Sequence, residues 1–323
     1  MASAESVAAV VSAGGAHVPE LMDRVEARLR AVAASHGRVL GEHAEATIAA
    51  GGKRLRPLLV LVAAGPEPER EDALVRAGAA VELVHAASLV HDDVLDGAAL
   101  RRGRPTVVAA AGRDMAIATG DLLFSRAFAE LAGTGRPDAV RILSDAASAL
   151  AAGELLQRAD AWNADVSPER YLARCDLKTG RLFQAACALG ALLGGGAVEP
   201  LSAFGRRIGL AFQLLDDVLD VSGPVERTGK HRGTDLLDGT ITLPLILARE
   251  RDAELAALDV RTVTTPERAR SVCDAIAATG ALELAREQAL GMVAEAKAQL
   301  PALPEAQQAA LDLVADGVVD RYS

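Results

Sequence analysis

One pentapeptide, Asp-Asp-Val-Leu-Asp, occurs twice in this chain, at residues 92–96 and 216–220, and each copy follows an apolar run. In a helix the first and last aspartates of each copy lie on one face, about 6 Å apart along the axis. Two carboxylates this close repel each other, and apolar surroundings raise the cost of their charge. The fold therefore has to supply positive charge at each copy, and two facing helices could close both into one acidic site.

The apolar pattern of the remaining sequence predicts helices. Leu21, Val25, Leu29 and Val32 recur at spacings of four, four and three, which is the pattern of one helical stripe. Hydrophobic residues make up 50% of the chain but aromatic residues only 2%, so small aliphatic side chains must form the core. Strand signals are scarce and no linker is visible. We therefore predict an all-α fold and a single domain over residues 1–323.

Composition excludes several classes of protein. A formal net charge of -10 and few aromatic rings argue against binding to nucleic acid. The three cysteines, Cys175, Cys187 and Cys273, have no C-x-x-C spacing and are expected to be reduced core residues. The N-terminus has no basic region before its apolar residues and contains Glu5, so we expect no secretory signal and a cytoplasmic protein. The uncharged run at 182–198 ends in glycines and is too short for a membrane span.

Mg²⁺ is the cation that suits the repeated motif, because it prefers carboxylate oxygens and usually completes its shell with water and phosphate. A single copy could equally be a solvated turn of a surface helix. Two copies in matching apolar settings favour metal binding. The metal in turn calls for an anionic ligand that shares it.

Three basic groups could hold such an anion: Gly-Gly-Lys-Arg-Leu-Arg-Pro at 51–57, Arg-Arg-Gly-Arg-Pro at 101–105 and Gly-Lys-His-Arg-Gly-Thr-Asp at 229–235. Lys53 offers a point charge, and Arg56 can contact phosphate oxygens in a bidentate manner. Each group also has a simpler interpretation, either as a basic loop that caps a helix or as neutralisation of neighbouring aspartates. Two of the groups, however, follow the two aspartate motifs closely.

Taken together, these segments resemble the trans-isoprenyl diphosphate synthases of the bacterial long-chain type. The resemblance rests on GGKRLRP, DDVLD followed by RRG, a KTG segment, QLLDDVLD and GKHRGTDLLDGTITLPL, and it covers about residues 45–250. It implies an all-α bundle of the isoprenoid synthase type around a central cavity. It also implies a prenyltransferase that joins isopentenyl diphosphate to an allylic diphosphate with the help of Mg²⁺.

The resemblance assigns roles residue by residue. The metal ligands, for three Mg²⁺ ions, would be Asp92, Asp96, Asp216 and Asp220. The isopentenyl diphosphate site would comprise Lys53, Arg56, His85 and Arg102. The allylic diphosphate site would comprise Arg101, Lys178, Thr179, Gln213 and Lys230. The residues with catalytic roles would be Asp92, Asp96, Lys178, Asp216 and Lys230. Asp93 and Asp217 would support the metal ligands, and Asp235 would orient Lys230 or a metal-bound water. Taken alone, His85 would more often be a core histidine.

Product length is suggested by the helix face below Asp92. Ser88 and Ala87 are small, and Val84 and Val81 continue the same face. Short-product members of the family resemble one another in an aromatic residue near these positions, which this chain lacks. We therefore expect a product beyond geranylgeranyl diphosphate, with a medium-chain (geranylgeranyl or farnesyl) product as the alternative.

Phe124 and Phe128 could form a floor further along the growing tail, or be ordinary packing aromatics at i and i+4. A class I terpene cyclase would share the ionisation chemistry but needs only one diphosphate site. A di-iron bundle would need two E-x-x-H motifs, and only Glu82 to His85 matches. An inactive subunit would be expected to lack one of the motifs. A homodimer is implied by the resemblance, although a catalytic half of a hetero-oligomer stays open.

Overall fold

The protein is described here by a computed structural model, which covers residues 4–35, 37–66, 69–223 and 232–320. α-Helices account for most of these residues. The first eight are α1 (Ala4–Ala13), α2 (His17–Ala34), α3 (Gly37–Ala49), α4 (Leu55–Ala63), α5 (Glu71–Asp96), α6 (Val107–Ala111), α7 (Arg113–Ala132) and α8 (Pro137–Ala159). The others are α9 (Pro168–Cys175), α10 (Arg181–Gly194), α11 (Val198–Ser222), α12 (Thr234–Leu237), α13 (Leu243–Arg249), α14 (Ala253–Ala256), α15 (Pro266–Ala278), α16 (Ala281–Ala298) and α17 (Glu305–Asp320). The predicted all-α fold is confirmed.

Three short elements interrupt the α-helices. The strands β1 (Leu100–Arg101) and β2 (Arg104–Pro105) form an antiparallel hairpin directly after α5. Its turn contains a non-glycine residue with positive φ, Arg102 at 52°. A π-helical turn at Asp176–Gly180 joins α9 to α10, and a 3₁₀ turn spans Val260–Thr262. The basic group after the first aspartate motif thus lies on a hairpin that the sequence did not suggest.

Helix α2 shows how the predicted stripe forms the core. Its four predicted apolar residues are all buried, and the polar residues between them face outward. Helix α15 begins as expected, because the Thr265 hydroxyl accepts a hydrogen bond from the Arg268 backbone N–H and Pro266 takes the first helical position. It ends at Ala278, two residues before Gly280. The predicted stripe therefore sets the buried face of α2, and local capping signals set the start of α15.

Small residues allow neighbouring helices to approach closely. Gly190 and Gly194 of α10 lie against backbone carbonyls of Val60 and Ala64, at the α4 side of the interface. A side chain at either position would overlap those oxygens. This close packing is the structural counterpart of a core that is poor in aromatic residues.

Helix α5 is the central helix, and it packs against α2, α4, α7 and α10. By length and composition it is the one helix in the described ranges that could cross a membrane, but 78% of its most apolar window is buried inside the protein. Helix α10 also packs against α11. The two aspartate motifs, near the C-terminal ends of α5 and α11, therefore belong to helices that flank a shared neighbour.

The three cysteines are free and buried, as predicted from their spacing. Burial raises the pKa of Cys187 to about 12, so this thiol stays protonated at neutral pH. These residues act as small apolar side chains in the core.

We expect Gly190→Ala to destabilise the protein, because the new methyl group would meet the Val60 carbonyl oxygen and push α4 and α10 apart. Overpacking of this kind costs on the order of 1 to 3 kcal/mol. The matched control is Gly291→Ala in α16, where no atom lies within 4 Å of the added Cβ. Removing a helical glycine there should stabilise by about 0.5 to 1 kcal/mol. Urea unfolding measures both, and equal effects at the two sites would contradict the packing argument.

Candidate active site

The first aspartate motif occupies the last turns of α5, which ends at Gly97 with a φ of 62°. The last turn contains no basic residue, so Asp92 and Asp96 stand at the negative end of the helix dipole. The pKa of Asp92 is raised to about 6, mainly by burial; the charge of Lys178 opposes this shift, and the charges of Glu154 and Asp96 add to it. Asp96 is half-exposed and forms an ion pair with Arg158 of α8. This helix end therefore carries an excess of negative charge.

Asp93 lies between these two residues in sequence but plays a different part. Its carboxylate is buried and accepts a hydrogen bond from the Arg101 Nε on β1 at 2.7 Å. This contact ties the hairpin to the end of α5. Arg101, which the resemblance assigns to the allylic diphosphate, is thus held beside the motif by its hydrogen bond to Asp93.

The second aspartate motif lies in the last two turns of α11. Asp216 and Asp220 are half-buried, and Asp220 Oδ2 accepts a 3.3 Å hydrogen bond from the backbone N–H of Asp235. Asp217 is buried and accepts hydrogen bonds from Tyr171 at 2.6 Å and Gln213 at 2.8 Å. Burial, and then the charge of Asp235, raises the pKa of Asp217 to about 8. Asp235 thus lies beside the motif, whereas Lys230 lies outside the described residues.

Lys178 and Thr179 are presented by the π-helical turn at Asp176–Gly180. Such turns are rare and frequently mark functional sites, because they turn side chains away from the regular helical positions. Gly153 of α8 makes room for this turn, since a Cβ there would lie 2.5 Å from the Lys178 backbone nitrogen. Close approach of α8 therefore requires glycine at this position.

The contacts of this turn extend in two directions. Lys178 forms an ion pair with Glu154, and its Nζ donates to Gln157 Oε1 at 3.3 Å, both on α8. The Thr179 hydroxyl donates to Gln213 Oε1 of α11 at 2.8 Å. Gln213 precedes Asp216 by one turn, and Lys178 acts on Asp92 through its charge. The turn thus connects the surroundings of both aspartate motifs.

A cavity of about 120 Å³ opens beside this turn. Its polar lining includes Gln157, Arg174, Lys178, Thr179, Gln213, Asp217 and Asp235. Three of the residues that the resemblance assigns to the allylic diphosphate are therefore on one wall of one cavity. Of the predicted allylic group, Arg101 is not among the lining residues, and Lys230 lies outside the described residues.

The predicted isopentenyl diphosphate group also comes together. Burial lowers the pKa of Arg56 to about 10, and Glu82 partly opposes this shift. Burial, followed by the charges of Arg56 and Arg102, holds the pKa of His85 well below its ordinary value. His85 is therefore a neutral hydrogen-bonding group next to two guanidinium groups. Lys53 lies between Gly52 and α4, and Arg56 is the second residue of α4, three positions further along the chain.

Arg102 reaches this loop from the hairpin. Its guanidinium lies beside Gly52, where a Cβ would be 3.2 Å from Nη1. Arg54, in contrast, points into the protein: its φ is 49°, and its guanidinium donates to Glu26 at 2.5 Å and Glu82 at 2.7 Å. Arg54 thus anchors this segment to the interior. Its neighbours Lys53 and Arg56 are the two cations that the resemblance assigns to the diphosphate.

Sequence reasoning missed several residues of the site. Glu154, Gln157 and Arg158 project from one turn of α8 toward Lys178 and Asp96. A polar cluster at spacings of three and four in an otherwise apolar helix is the signal that could have found them. Glu82 was considered only as part of an E-x-x-H motif. It is instead a partner of Arg54, and no group of three or more metal-binding side chains exists among the described residues.

Mg²⁺ fits the residues present. The carboxylate of Asp92 is desolvated and lies near two other acids, Glu154 and Asp96. A hard cation would offset the electrostatic cost that raises the pKa of Asp92. Each motif offers a carboxylate pair at i and i+4, and neither forms a complete metal cage in the described residues. Mg²⁺ is commonly held in this way, by one or two carboxylates together with phosphate oxygens and water.

Two aspartate motifs at helix ends, separate cationic groups and a polar cavity beside them are features that suit the binding of diphosphates. The polyprenyl synthetase family profile matches residues 38–278 of the chain. The chain is 41% identical over 79% of its length to the heptaprenyl diphosphate synthase component 2 of Geobacillus stearothermophilus, covering 80% of that protein. It is 36% identical to the nonaprenyl diphosphate synthase of Mycobacterium tuberculosis over 98% of this chain and 94% of that one.

A solved structure gives the same result. The polyprenyl synthase of Caulobacter crescentus, crystallised with calcium and isoprenyl diphosphate, superimposes with a TM-score of 0.90, 36% identity and 98% coverage of both chains. The chain belongs to the polyprenyl synthetase family, and its fold is the isoprenoid synthase bundle that the sequence predicted.

We expect Asp92→Asn to stabilise the metal-free protein above about pH 6. The folded protein retains the Asp92 proton up to about pH 6, whereas an unfolded chain releases it near pH 4. The folded state binds more protons between these values, so the stability contributed by Asp92 falls as pH rises through this window. One pKa unit corresponds to about 1.36 kcal/mol, which limits the gain at neutral pH to about 3 kcal/mol.

Urea unfolding in EDTA, from about pH 4 to pH 8, tests this expectation. Asp145→Asn, at an exposed position of α8, controls for the loss of one negative charge. A difference between wild type and Asp92→Asn that does not change with pH would contradict the desolvation of Asp92.

Proposed function

We propose that this chain is a trans-polyprenyl diphosphate synthase, a transferase that condenses isopentenyl diphosphate with an allylic diphosphate. The observation that carries the proposal is the π-helical turn. Its Lys178 acts on Asp92 of the first motif, and its Thr179 is hydrogen-bonded to Gln213, one turn before the second motif. Membership of the polyprenyl synthetase family supports the same reaction.

The allylic diphosphate would be held by Lys178, Thr179, Gln213, Arg101 and Lys230. Positive charge fixed at the diphosphate stabilises the negative charge that develops as the allylic C–O bond breaks. Lys178 and Arg101 are already oriented by Glu154 and Asp93, so little reorganisation is needed when the substrate binds. Loss of the diphosphate leaves an allylic carbocation. The apolar surroundings below Asp92 would keep water away from this carbocation.

Isopentenyl diphosphate would be held by Lys53, Arg56, Arg102 and the neutral His85. The spacing of this group from the allylic group keeps the two diphosphates apart and directs the double bond toward the allylic carbon. The double-bond electrons form the new C–C bond, and the proton lost from the adjacent carbon passes to the released diphosphate. The product is a longer allylic diphosphate that can serve as the next substrate.

We propose three Mg²⁺ ions, two at Asp92 and Asp96 and one at Asp216, with Asp220 completing the second motif. Bound Mg²⁺ would neutralise charge on the departing diphosphate. The solved relative from Caulobacter crescentus contains calcium together with isoprenyl diphosphate, which supports a divalent cation at this kind of site. In this scheme Asp93 and Asp217 hold Arg101 and Gln213, and they support the ligands without binding metal.

We propose a long-chain product. Val81, Val84 and Ala87 are fully buried on α5 below Asp92, and Ser88 is nearly so. This side of the helix carries no bulky side chain that would stop a growing chain. Relatives named as heptaprenyl and nonaprenyl diphosphate synthases support this length. The ring of Phe124 lies 5.7 Å from that of His91, at the upper end of this face, and a floor at Phe124 and Phe128 stays a prediction.

A homodimer, a cytoplasmic location and a single domain over residues 1–323 also stay predictions, and they rest on the resemblance and on composition. The relative from Geobacillus stearothermophilus is named as component 2 of its enzyme, which keeps a second subunit in consideration. Gel filtration with light scattering of the purified chain distinguishes a monomer from a dimer.

We expect purified protein, incubated with labelled isopentenyl diphosphate, farnesyl diphosphate and Mg²⁺, to make a ladder of products beyond twenty carbons. Chromatography of the dephosphorylated products measures their length, and EDTA provides the metal-free control. Products that stop at twenty carbons would be consistent with the proposed reaction but would refute the proposed long-chain product. No incorporation, with or without a candidate second subunit, would refute the proposed function.

We expect Ala87→Tyr to shorten the products, because the ring would project from the buried face of α5 below Asp92, along which we propose that the chain grows. Leu290→Tyr is the matched control, since it adds the same ring at an exposed position of α16, outside the site. Unchanged product length in a folded Ala87→Tyr protein would show that the growing chain follows another route. Shortening by both variants would also contradict this assignment.

A further inference from the structure

Tyr171 of α9 is a buried residue that the proposed reaction does not use. Its side chain has no solvent exposure, and it lies behind the residues that line the cavity. Its hydroxyl donates a 2.6 Å hydrogen bond to Asp217 Oδ2, which is also buried. The Tyr171 hydroxyl has a single proton to donate, and the acceptor is the buried carboxyl group of Asp217. Tyr171 therefore acts on the site through Asp217.

The hydrogen bonds continue from Asp217 to the cavity wall. Gln213 Nε2 donates to the other Asp217 oxygen at 2.8 Å, and Gln213 Oε1 accepts from the Thr179 hydroxyl at 2.8 Å. Each end of the Gln213 amide therefore has one partner, which sets the orientation of the amide. The same contacts set the orientation of the Thr179 hydroxyl, which belongs to the π-helical turn.

Contacts that do not involve its hydroxyl hold the Tyr171 ring in place. Ser167 caps the start of α9 by accepting from the Arg170 backbone N–H. The Arg174 guanidinium lies 5.3 Å from the centroid of the Tyr171 ring and donates to the Ile241 carbonyl at 2.5 Å. The ring is thus held by packing that does not involve its hydroxyl. Removing the oxygen atom alone should leave the ring in place.

We propose that Tyr171 is a positioning residue for the allylic-diphosphate side of the site, acting through Asp217 on Gln213 and Thr179. Without the tyrosine hydroxyl, Asp217 Oδ2 loses its hydrogen-bond donor in a buried place, and the carboxyl group can rotate away from Gln213. The Gln213 amide then has no fixed orientation, and Thr179 loses a defined acceptor. Polar networks of this kind specify one arrangement only while each member is satisfied.

This inference rests on the proposed function, since it assigns the network to the allylic side of that reaction. We expect Tyr171→Phe to raise the KM for the allylic diphosphate roughly tenfold, the effect of losing one buried hydrogen bond to a carboxyl group. The KM for isopentenyl diphosphate should stay within about twofold, because Lys53, Arg56 and His85 lie outside the network. Binding of a non-reactive thiolo analogue of the allylic diphosphate should weaken by the same factor.

Cys187→Ala is the matched control for loss of stability. Cys187 is buried in α10, outside the hydrogen bonds of Tyr171, so its truncation destabilises the protein without touching the network. Both KM values should stay near those of wild type. The two variants are compared at an equal loss of thermal stability. If Cys187→Ala then raises the KM for the allylic diphosphate as much as Tyr171→Phe does, the role of Tyr171 is only structural.

A double-mutant cycle with Gln213→Leu tests the route of the effect. If Tyr171 acts through Asp217 on Gln213, then Tyr171→Phe should have little further effect on analogue binding once Gln213 is leucine. Additive effects, or equal increases in both KM values, would overturn the proposal. Wild-type protein that makes no prenyl product would instead refute the proposed function, so the two failures are distinguishable.

Discussion

Negative charge at the C-terminal ends of two helices is the constraint on which the rest of the site depends. Asp92 and Asp96 close α5, and Asp216 and Asp220 lie in the last turns of α11, where the helix dipole already disfavours carboxylates. Neither last turn contains a basic residue. Partial burial adds a desolvation cost, which is expressed in the raised pKa of Asp92. Cations from elsewhere in the fold are needed to make these helix ends stable.

The surrounding elements supply these cations in a specific order. Arg101 arrives on the hairpin after α5, Arg158 on α8 and Lys178 on the π-helical turn, and each is paired with an acid: Asp93, Asp96 and Glu154 respectively. Each of these three cations therefore has an acidic partner in the protein before a substrate binds. A bound diphosphate would offer these cations another anionic partner. Their charges would then stay paired, which avoids the desolvation cost of burying unpaired charges.

Much of the fold and site could be predicted from the sequence because local signals were strong. The stripe of α2, the capped start of α15 and the glycine and proline breaks all act over a few residues. The aspartate motifs and the basic groups were found because their spacing is informative in a helix. The π-helical turn, the hairpin at Arg102 and the α8 residues were missed, because their positions depend on contacts between segments far apart in sequence.

Arg54 illustrates why residue type alone does not assign a role. It lies between two residues of the predicted diphosphate group, in a loop where each cation has the same charge. Its left-handed backbone turns its guanidinium inward, to the carboxylates of Glu26 and Glu82. Such a backbone costs energy for a residue with a side chain, and the two ion pairs in a partly buried place offset that cost. Arg54 thus anchors the segment at residues 51–57 to the carboxylates of Glu26 and Glu82, a role that its charge alone would not distinguish from those predicted for Lys53 and Arg56.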